Sequence, residues 1–242
     1  MTQPIISVAI LNYRRQSNVL TIVETLRQQT MPAKILVWDN SGSEEHIPGA
    51  DLIVRASTNM FCWPRWLLLA QSGTEFCMTL DDDLNLATPT ALESILGALE
   101  DLDHPRQIVG PEGVVLHPGQ HYFPERKAKT AIACADGAFQ TTQHIVRPQS
   151  DVRVDVVKGR CMATRTDALR KLPMLPPYAD MCDDIAVSAV LSGTRRRAHR
   201  VPKAFGALFS DLPGKNAEMA LSARSDWKNI REAARQTYFP HR

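Results

Sequence analysis

The sequence predicts an α/β fold in which a mostly parallel central sheet is flanked by helices. Continuous apolar runs, typical of strands buried on both faces, occur at residues 5–11, 35–38 and 74–80. Segments with apolar residues at helical spacing lie between these runs, as strand-helix-strand crossovers require. The chain has 242 residues, of which 44% are hydrophobic and 22% charged, and these values suit one large folded domain.

The first half of the chain predicts alternating strands and helices. The predicted elements are, in order, a strand at 5–11, a helix closed by Met31-Pro32, a strand at 35–38, a short strand at 51–55, a helix at 63–71 and the strand at 74–80. The first strand leads into the loop 12–15, and the second ends in Asp39. Because right-handed crossovers bring the ends of parallel strands to one edge, we expect Asp39 and this loop to share a crevice.

The second half predicts fewer regular elements. They are a helix opened by Thr88-Pro89, a strand at 107–110, loops with short strands at 111–150, a strand at 154–163, and helices at 167–172 and 180–193. Gly159 lies inside the last of these strands, where a backbone can approach a ligand closely. No internal repeat is visible, so we predict a single domain over residues 1–242.

Three consecutive carboxylates, Asp81, Asp82 and Asp83, follow the apolar run 74–80. Ligands of open α/β sheets collect beyond the carboxyl ends of the strands, and acids placed there repel one another unless a cation lies among them. Mg²⁺ and Mn²⁺ prefer oxygen ligands, and a site of one or two carboxylates leaves positions open for phosphates. The triplet therefore favours a metal site. The alternative is a solvated turn in which Asp83 precedes the helix opened by Pro89.

A second acidic pair, Asp183 and Asp184, falls in the first turn of the predicted helix 180–193. Acids in a first turn complement the helix dipole, so capping alone is one explanation. A catalytic role is the other, because paired carboxylates suit acid-base or electrostatic chemistry. His117 and His121 have a spacing that suits a metal, but two histidines in a loop are more often incidental.

Composition and charge argue against several classes of partner. A net charge of +2 does not indicate a nucleic-acid surface, and the three arginines at 195–197 are typical of a solvated connection. The five cysteines are scattered without zinc spacing, so we interpret them as reduced. No apolar run reaches the ~20 residues of a membrane span, and no signal segment is visible. We predict a cytoplasmic protein and leave peripheral membrane association open.

In these features the chain resembles the metal-dependent nucleotide-sugar glycosyltransferases of the GT-A fold, most closely the C-terminal catalytic domain of the exostosin-type enzymes. The stretches that carry the resemblance, from about residue 8 to 193, are AILNYRR, ILVWDN, LDDDLNLATP, RQIVG, VVKGRCMATRTDAL and MCDDIAVSAVLSG. The resemblance implies one Rossmann-like domain. Residues 1–110 would form its nucleotide-sugar-binding half, and residues 111–242 its acceptor-binding and catalytic half.

The resemblance also implies roles at the nucleotide and metal sites. Asp83 is similar to the acid of the DXD-type motif that holds Mn²⁺ or Mg²⁺ directly. Asp81 and Asp82 are similar to acids that contact ribose, sugar or metal-bound water, and Asp81 is the second candidate metal ligand. Positions that hold the nucleotide in such enzymes correspond here to Arg14, Asn40 and Asn59.

For catalysis, Asp184 with Asp183 beside it resembles the carboxylate placed against the reacting sugar. A basic residue of the final helix, Arg224 or Arg231, is similar to one that contacts the diphosphate leaving group, and we prefer Arg224. Exostosin-type enzymes retain the anomeric configuration, so the resemblance implies retention. An inverting enzyme could use Asp184 as a general base instead.

The expected donor is a uridine nucleotide-sugar, because Asp39 ends a strand where an acid could contact the base and the family resembled uses such donors. The sugar stays open among GlcNAc, GalNAc, glucose and glucuronic acid, and the acceptor is expected to be a hydroxyl group of a saccharide or glycan precursor. A sugar-phosphate nucleotidyltransferase and a non-catalytic nucleotide-sugar-binding module are alternatives. The first would show a glycine-rich loop at 12–15, and the second would tolerate loss of the acids.

Overall fold

A computed structural model of the chain describes residues 3–42, 46–123, 142–214 and 220–242. Its strands are β1 (Ile6–Asn12), β2 (Ala33–Asp39), β3 (Leu52–Arg55), β4 (Phe76–Leu80), β5 (Leu84–Leu86), β6 (Glu112–Val115), β7 (Gln143–Val146), β8 (Val152–Val154), β9 (Val156–Val157), β10 (Cys161–Arg165), β11 (His199–Val201) and β12 (Phe209–Asp211). Its α-helices are α1 (Gln16–Arg27), α2 (Pro64–Ala70), α3 (Ala91–Glu100), α4 (Ala179–Ser192) and α5 (Trp227–Tyr238). Short 3₁₀ helices occur at Thr166–Lys171, Lys203–Ala207 and Leu221–Ala223.

The central sheet has five strands in the order β10-β4-β1-β2-β3, and the predicted mostly parallel sheet is confirmed. Strands β1 to β4 run parallel, and β10 pairs with β4 in the antiparallel direction. In the register of β1 and β2, Asn12 lies opposite Asp39. The carboxyl ends of three neighbouring strands therefore meet at one edge, where the loop after β1, Asp39 and the acids after β4 come together.

Alternating side chains of the sheet pack against helices on both of its faces. Ile6, Val8 and Ile10 of β1 join the core formed with α1 and α3. Ala9, between them, joins the core formed with α2 and α4. Since successive strand residues point to opposite faces, burial on both faces explains the continuous apolar runs of the sequence. Helix α5 packs through Ala234 in a third cluster, with Tyr122 and the beginning of α4.

The second half of the chain differs most from the prediction. The strand expected at 154–163 is divided into β8, β9 and β10, which pair with β11, β6 and β4 respectively. Asp155 separates β8 from β9 because its side chain accepts hydrogen bonds from the backbone of Leu116 and Arg197. A turn at 158–160 then separates β9 from β10. The predicted position of Gly159 thus belongs to this turn and not to a strand.

Two further expectations need correction. Residues 107–110 form only single bridges, from Val109 to Ala163 and Arg200, and not a strand. Strand β5 follows the acid triplet immediately and pairs with β12, although neither strand was predicted. The helix opened by Pro89 has Thr90 as its N-cap, and β5 separates it from Asp83, which is buried. The alternative of a solvated turn at Asp83 that leads into this helix is therefore wrong. In the region 111–150, short strands β6 and β7 occur as expected, and residues 124–141 lie outside the described part.

Within the described ranges, no helix combines the length and the apolar character that crossing a membrane requires.

Candidate active site

A cavity of about 300 Å³ opens at the carboxyl edge of the parallel strands. It collects side chains from the loop after β1, the beginning of α2, the acids after β4, the turn before β10, the beginning of α4 and helix α5. Of the residues that the structure describes, five acids and five bases line it: Asp81, Asp82, Asp83, Asp183, Asp184, Arg15, Arg65, Lys158, Arg160 and Arg231. The two acidic groups predicted separately from the sequence therefore face one cavity, together with an equal number of cations.

Two arginines hold the second and third acids of the triplet. Arg15 Nη1 lies 2.5 Å from Asp82 Oδ1 and 3.3 Å from Asp83 Oδ2. Arg160 Nη2 lies 3.3 Å from Asp83 Oδ1, on the other side of that carboxylate. Burial raises the pKa of Asp82 to about 6, although Arg15 and the backbone N–H of Tyr13 act in the opposite direction. The cation expected among these acids is thus supplied by the chain itself.

Arg65 joins the first acid of the triplet to the pair on α4. Its Nη1 lies 2.5 Å from Asp81 Oδ1, and its Nη2 lies 2.8 Å from Asp183 Oδ2. The indole N–H of Trp66 donates a second hydrogen bond to the same oxygen of Asp183, at 2.7 Å. Arg65 is almost fully buried, and although burial disfavours its charge, Asp183 and Asp81 hold its pKa above the ordinary value. Gly159 accepts the remaining Nη2 hydrogen bond, at 3.0 Å.

Gly159 packs closely against these groups. A Cβ atom at this position would lie 3.1 Å from Arg65 Nη2 and 3.5 Å from Asp183 Oδ1. The sequence suggested that this glycine lets the backbone approach a ligand. In the structure the backbone approaches the arginine and the carboxylates of the site.

Asp184 forms a buried bidentate ion pair with Arg231 of α5. The two Oδ–Nη distances are 3.0 and 2.7 Å, and Tyr122 Oη accepts a further hydrogen bond from Arg231 Nη2. The guanidinium also lies over the rings of Tyr122 and Trp227, with 4.5 and 5.1 Å to the centroids. Burial alone would raise the pKa of Asp184, but Arg231 outweighs it and holds this pKa below the usual range. Asp184 is therefore an ionised and firmly held carboxylate.

Neither Asp183 nor Asp184 is the N-cap of α4. The N-cap is Tyr178, in the left-handed conformation, and no described side chain caps this helix end. The helix is kinked at Cys182 directly before the two acids, which places them at the start of its straight part. Burial raises the pKa of Asp183, and the adjacent Asp184 adds to this effect. The two neighbours thus have pKa values shifted in opposite directions.

Of the predicted nucleotide-binding residues, Arg14 is wrong by one position. Arg14 is exposed, has a φ of 61°, stacks on Tyr13 and does not line the cavity. Arg15, the next residue, lines it instead. The positive φ reverses the direction of the chain after β1, so the second arginine and not the first turns toward the acids. Two adjacent arginines look alike in the sequence, and only the turn distinguishes them.

The other predicted nucleotide residues lie at the same edge. Asn40 and Asn59 line the cavity, and Asn40 fixes the loop before α2 through hydrogen bonds with Met60 and Phe61. Asp39 is fully buried and does not itself line the cavity, and its Oδ1 accepts hydrogen bonds from Asn12 and Ser41. Its Oδ2 is buried without a hydrogen-bond partner among the described residues.

The two candidate arginines of the C-terminal region are placed very differently. Arg224 is exposed, pairs with Asp226 at 2.8 Å and does not line the cavity. Arg231 lines it and holds Asp184. The preference for Arg224 at the site is therefore not supported by its position. Of the two histidines, His117 is buried and His121 is exposed, and the described residues contain no group of His, Cys, Asp and Glu that could by itself hold a metal.

The donor set nevertheless fits a metal that arrives with a phosphate ligand. Asp83 and Asp81 offer the hard oxygen atoms that Mg²⁺ and Mn²⁺ prefer. Burial raises the pKa of Asp81, the charge of Asp83 adds to this effect, and Arg65 opposes it. The acids and bases of the lining balance, so a diphosphate would bring uncompensated negative charge into the cavity. A divalent cation offsets that charge, and a site of this type needs only one or two protein carboxylates.

Four basic residues of the cavity were not predicted as site residues: Lys158, Arg15, Arg65 and Arg160. Lys158 is the clearest case. Its ammonium lies 5.6 Å from the ring centroid of Tyr122 and forms no ion pair with a described residue. Burial, with Arg231 nearby, lowers the pKa of Lys158 to about 8. The motif VVKGRC contains both Lys158 and Arg160, so basic residues beside a glycine in a predicted site strand were the available signal. Arg65 lies in a Trp-rich helix, and no comparable signal marks it in the sequence.

Comparison with known proteins identifies the fold. No family model and no curated protein matches the sequence. The crystal structure of S. aureus TarS 1-349 matches with a TM-score of 0.56 and 13% identity, over 97% of this chain and 72% of that chain. At this identity the likeness shows the fold alone, a mixed α/β fold with a mostly parallel central sheet.

Two other solved structures are similar at a lower score. A longer S. aureus TarS structure matches with a TM-score of 0.48 and 14% identity. The match covers 81% of this chain and 34% of the TarS chain. The mannosyltransferase PcManGT from Pyrobaculum calidifontis, in complex with GDP-Man and Mn²⁺, matches with a TM-score of 0.48 and 12% identity. That match covers 84% of this chain and 58% of the mannosyltransferase.

Proposed function

We propose that the protein is a metal-dependent glycosyltransferase that transfers a sugar from a nucleotide-sugar to a hydroxyl acceptor. The observation that carries the proposal is the position of Arg65, which contacts both Asp81 and Asp183. Arg65 therefore links the triplet after β4, which is suited to a metal and a diphosphate, with the pair on α4, which is suited to the reacting sugar. Both groups are needed at the two ends of one donor molecule, and the shared fold supports the same reaction class.

The transfer breaks the bond between the anomeric carbon and a diphosphate oxygen and forms a bond from that carbon to the acceptor oxygen. Negative charge develops on the diphosphate, and positive charge develops on the sugar. Asp83 and Asp81 would hold the metal, which when bound supplies Lewis-acid stabilisation of the diphosphate charge. Arg15 and Arg160 lie beside Asp83 and can add to that stabilisation, because fixed cations act strongly in a partly desolvated site.

Asp184 is proposed to act on the sugar as a fixed negative charge. Its two oxygens are held by Arg231, so its position changes little when the glycosidic bond breaks. Its lowered pKa makes it a weak proton acceptor, which argues against the general-base role of an inverting mechanism. This supports retention of configuration, as does the sequence resemblance to exostosin-type enzymes. In a retaining transfer the acceptor proton leaves with the diphosphate.

We propose a uridine nucleotide as the donor. The buried Asp39 Oδ2 has no hydrogen-bond partner among the described residues, and an unpaired buried acceptor is costly unless a ligand donates to it. The N–H of a uracil ring is a donor of the required type. Asn40 and Asn59, which line the cavity, would hold the nucleoside. The acceptor is proposed to be a hydroxyl group of a saccharide or glycan precursor, and the location of the protein to be cytoplasmic.

The direct test is a screen of nucleotides and nucleotide-sugars in the presence of Mn²⁺. Thermal shifts with UDP, GDP and CDP report binding, since a ligand that binds the folded state raises the melting temperature. Release of free UDP from UDP-GlcNAc, UDP-GalNAc, UDP-glucose or UDP-glucuronic acid reports turnover. Stabilisation by GDP or CDP but never by UDP would overturn the uridine assignment.

The same screen separates the alternative functions by their products. A sugar-phosphate nucleotidyltransferase forms pyrophosphate from a nucleoside triphosphate and a sugar phosphate, whereas a glycosyltransferase releases a nucleoside diphosphate. A non-catalytic binding module would show thermal shifts and no product. Failure of every nucleotide-sugar both to shift the melting temperature and to release a nucleoside diphosphate would contradict the proposed function.

A further inference from the structure

Asp83 is held between two arginines that are each anchored more firmly elsewhere. Arg15 contacts Asp83 at 3.3 Å, but it lies 2.5 Å from Asp82 and donates to the backbone carbonyl of Gly214 at 2.7 Å. Of the carboxylate contacts that Arg15 makes, the one with Asp83 is thus the weaker. An arginine that keeps its other partners can release Asp83 without leaving its place.

Arg160 shows the same arrangement from the opposite side of the carboxylate. Its Nη2 lies 3.3 Å from Asp83 Oδ1, whereas Asp211 Oδ1 is at 2.6 Å and Glu112 Oε1 lies 3.1 Å from Nη1. The side chains of Arg160 and Asp83 are 16% and 12% exposed, so their attraction is only partly screened by water. Asp83 therefore lies between two positive groups.

We propose that Arg15 and Arg160 act as resident counter-charges of Asp83, which make divalent metal binding depend on the nucleotide. Without a nucleotide, a metal at Asp83 would be repelled by the two guanidinium groups and would have to displace their contacts with the carboxylate. A diphosphate in the cavity would offer its oxygens to both arginines, and Asp83 would then be available to hold the metal. Arg15 stays anchored on Asp82 and Arg160 on Asp211 and Glu112. The inference rests on the proposed function and adds coupling between the two ligands.

The coupling is measurable as the change in Mn²⁺ affinity when UDP is added. Unbound Mn²⁺ gives an electron paramagnetic resonance signal, so titration of the protein reports the dissociation constant directly and without an activity assay. We expect the wild type to bind Mn²⁺ weakly alone and about 5–150-fold more tightly with saturating UDP, which is the usual range for coupling between two sites. By linkage, Mn²⁺ must tighten UDP by the same factor.

Removing a counter-charge should raise Mn²⁺ affinity in the absence of nucleotide. For Arg160→Gln we expect at least about a fivefold gain with Mn²⁺ alone, the lower bound of typical coupling, and a smaller effect of UDP. Arg160→Lys, which keeps the charge, should behave more like the wild type. Arg15→Gln is the second variant, in case loss of Arg160 prevents folding. The matched control is Arg165→Gln on β10, where the arginine pairs with Glu75 outside the cavity and Mn²⁺ affinity should not change.

The outcomes separate the inference from the proposed function. If UDP strengthens Mn²⁺ binding but both glutamine variants, folded by circular dichroism, leave the affinity for Mn²⁺ alone unchanged or weaker, the counter-charge role is wrong and the proposed function stands. If neither UDP nor any other nucleoside diphosphate affects Mn²⁺ binding in the wild type, the proposed function loses its support as well. Tight Mn²⁺ binding to the wild type without nucleotide would also overturn the inference.

Discussion

Asp83 of the triplet and the acid pair on α4 are held in opposite ways. In the triplet after β4, Asp81 and Asp82 each have an arginine contact of 2.5 Å, whereas Asp83 has only contacts of 3.3 Å with its arginines. In the pair on α4, the side chains of Asp183 and Asp184 are 3% and 4% exposed, and several donors hold each of them at 2.7–3.0 Å. Asp83 is therefore suited to exchanging partners, and the pair is suited to staying in place.

Individual acids of the cavity also differ in pKa, according to how fully their negative charge is compensated. Burial without a sufficient counter-charge raises the pKa of Asp82 to about 6. A bidentate guanidinium gives the opposite result at Asp184, whose pKa is held below its usual range. A carboxylate binds a cation more strongly when neighbouring positive groups have not already compensated its negative charge. A carboxylate that stabilises a transition state benefits from a fixed position and a permanent charge.

The largest effect is expected at the exchangeable group. Asp83→Ala should abolish nucleotide-sugar turnover and leave the fold intact, because it removes the direct metal ligand. Turnover and circular dichroism on the same sample test this. The control is Asp103→Ala, which removes a surface aspartate paired with Arg153 outside the cavity and should leave turnover unchanged. Full activity of the wild type after exhaustive chelation would contradict metal dependence.

The next largest effect is expected at the fixed group. Asp184→Asn should lower kcat and kcat/KM together by about 10²–10⁴-fold and leave UDP affinity nearly unchanged, because the charge acts only as the glycosidic bond breaks. Steady-state kinetics and a UDP titration separate these effects. A normal kcat in a less stable protein would leave the catalytic role without support.

Asp155→Asn is the matched control for the buried pair. Asp155 is also buried and pairs with an arginine, Arg242, at 3.0 Å, but it lies outside the cavity. Breaking either buried pair can cost up to about 3–5 kcal/mol of stability. If the comparison holds, both variants melt at a lower temperature and only Asp184→Asn loses rate per folded molecule.

A smaller effect is the pH dependence of stability at Asp82. Its pKa is about 6 in the folded protein and lower in the unfolded chain, so the folded state binds more protons between about pH 4 and 6. Stability therefore falls as pH rises through this window, and Asp82→Asn should remove that part of the fall. We expect the variant to gain melting temperature relative to the wild type from pH 4 to pH 7. A difference that stays constant or reverses with pH would contradict the raised pKa.

The smallest effect is expected for Arg224→Gln, since this arginine pairs with Asp226 at the surface and does not line the cavity. Turnover and UDP affinity should change less than about twofold, the range typical of surface substitutions. Arg231→Gln, in contrast, should remove the partner that positions Asp184 and lower kcat. A strong loss of UDP affinity in Arg224→Gln would restore the role that the sequence suggested for it.

Local patterns explain which parts of the fold could be predicted. Strands β1, β2 and β4 and helices α1, α3 and α4 follow from apolar periodicity, since each is buried along its length or along one face. Strands β5 and β12 have three residues each and pair with one another across more than a hundred positions, which no local pattern indicates. The division of residues 154–163 into β8, β9 and β10 depends on three different partner strands, and no local pattern indicates it either.

The sequence by itself determined the class of the site. An apolar strand that ends in three carboxylates must deliver them to the carboxyl edge of a parallel sheet, and the acid pair on α4 was recognised as a second candidate. Only the tertiary structure decided how the charges are paired. Arg65 reaches Asp183 across 118 positions of the chain, and Arg15 rather than Arg14 turns inward because of one residue with a positive φ. Contacts between charged groups depend on distances of a few ångströms, and packing of the whole chain sets these distances where local periodicity cannot.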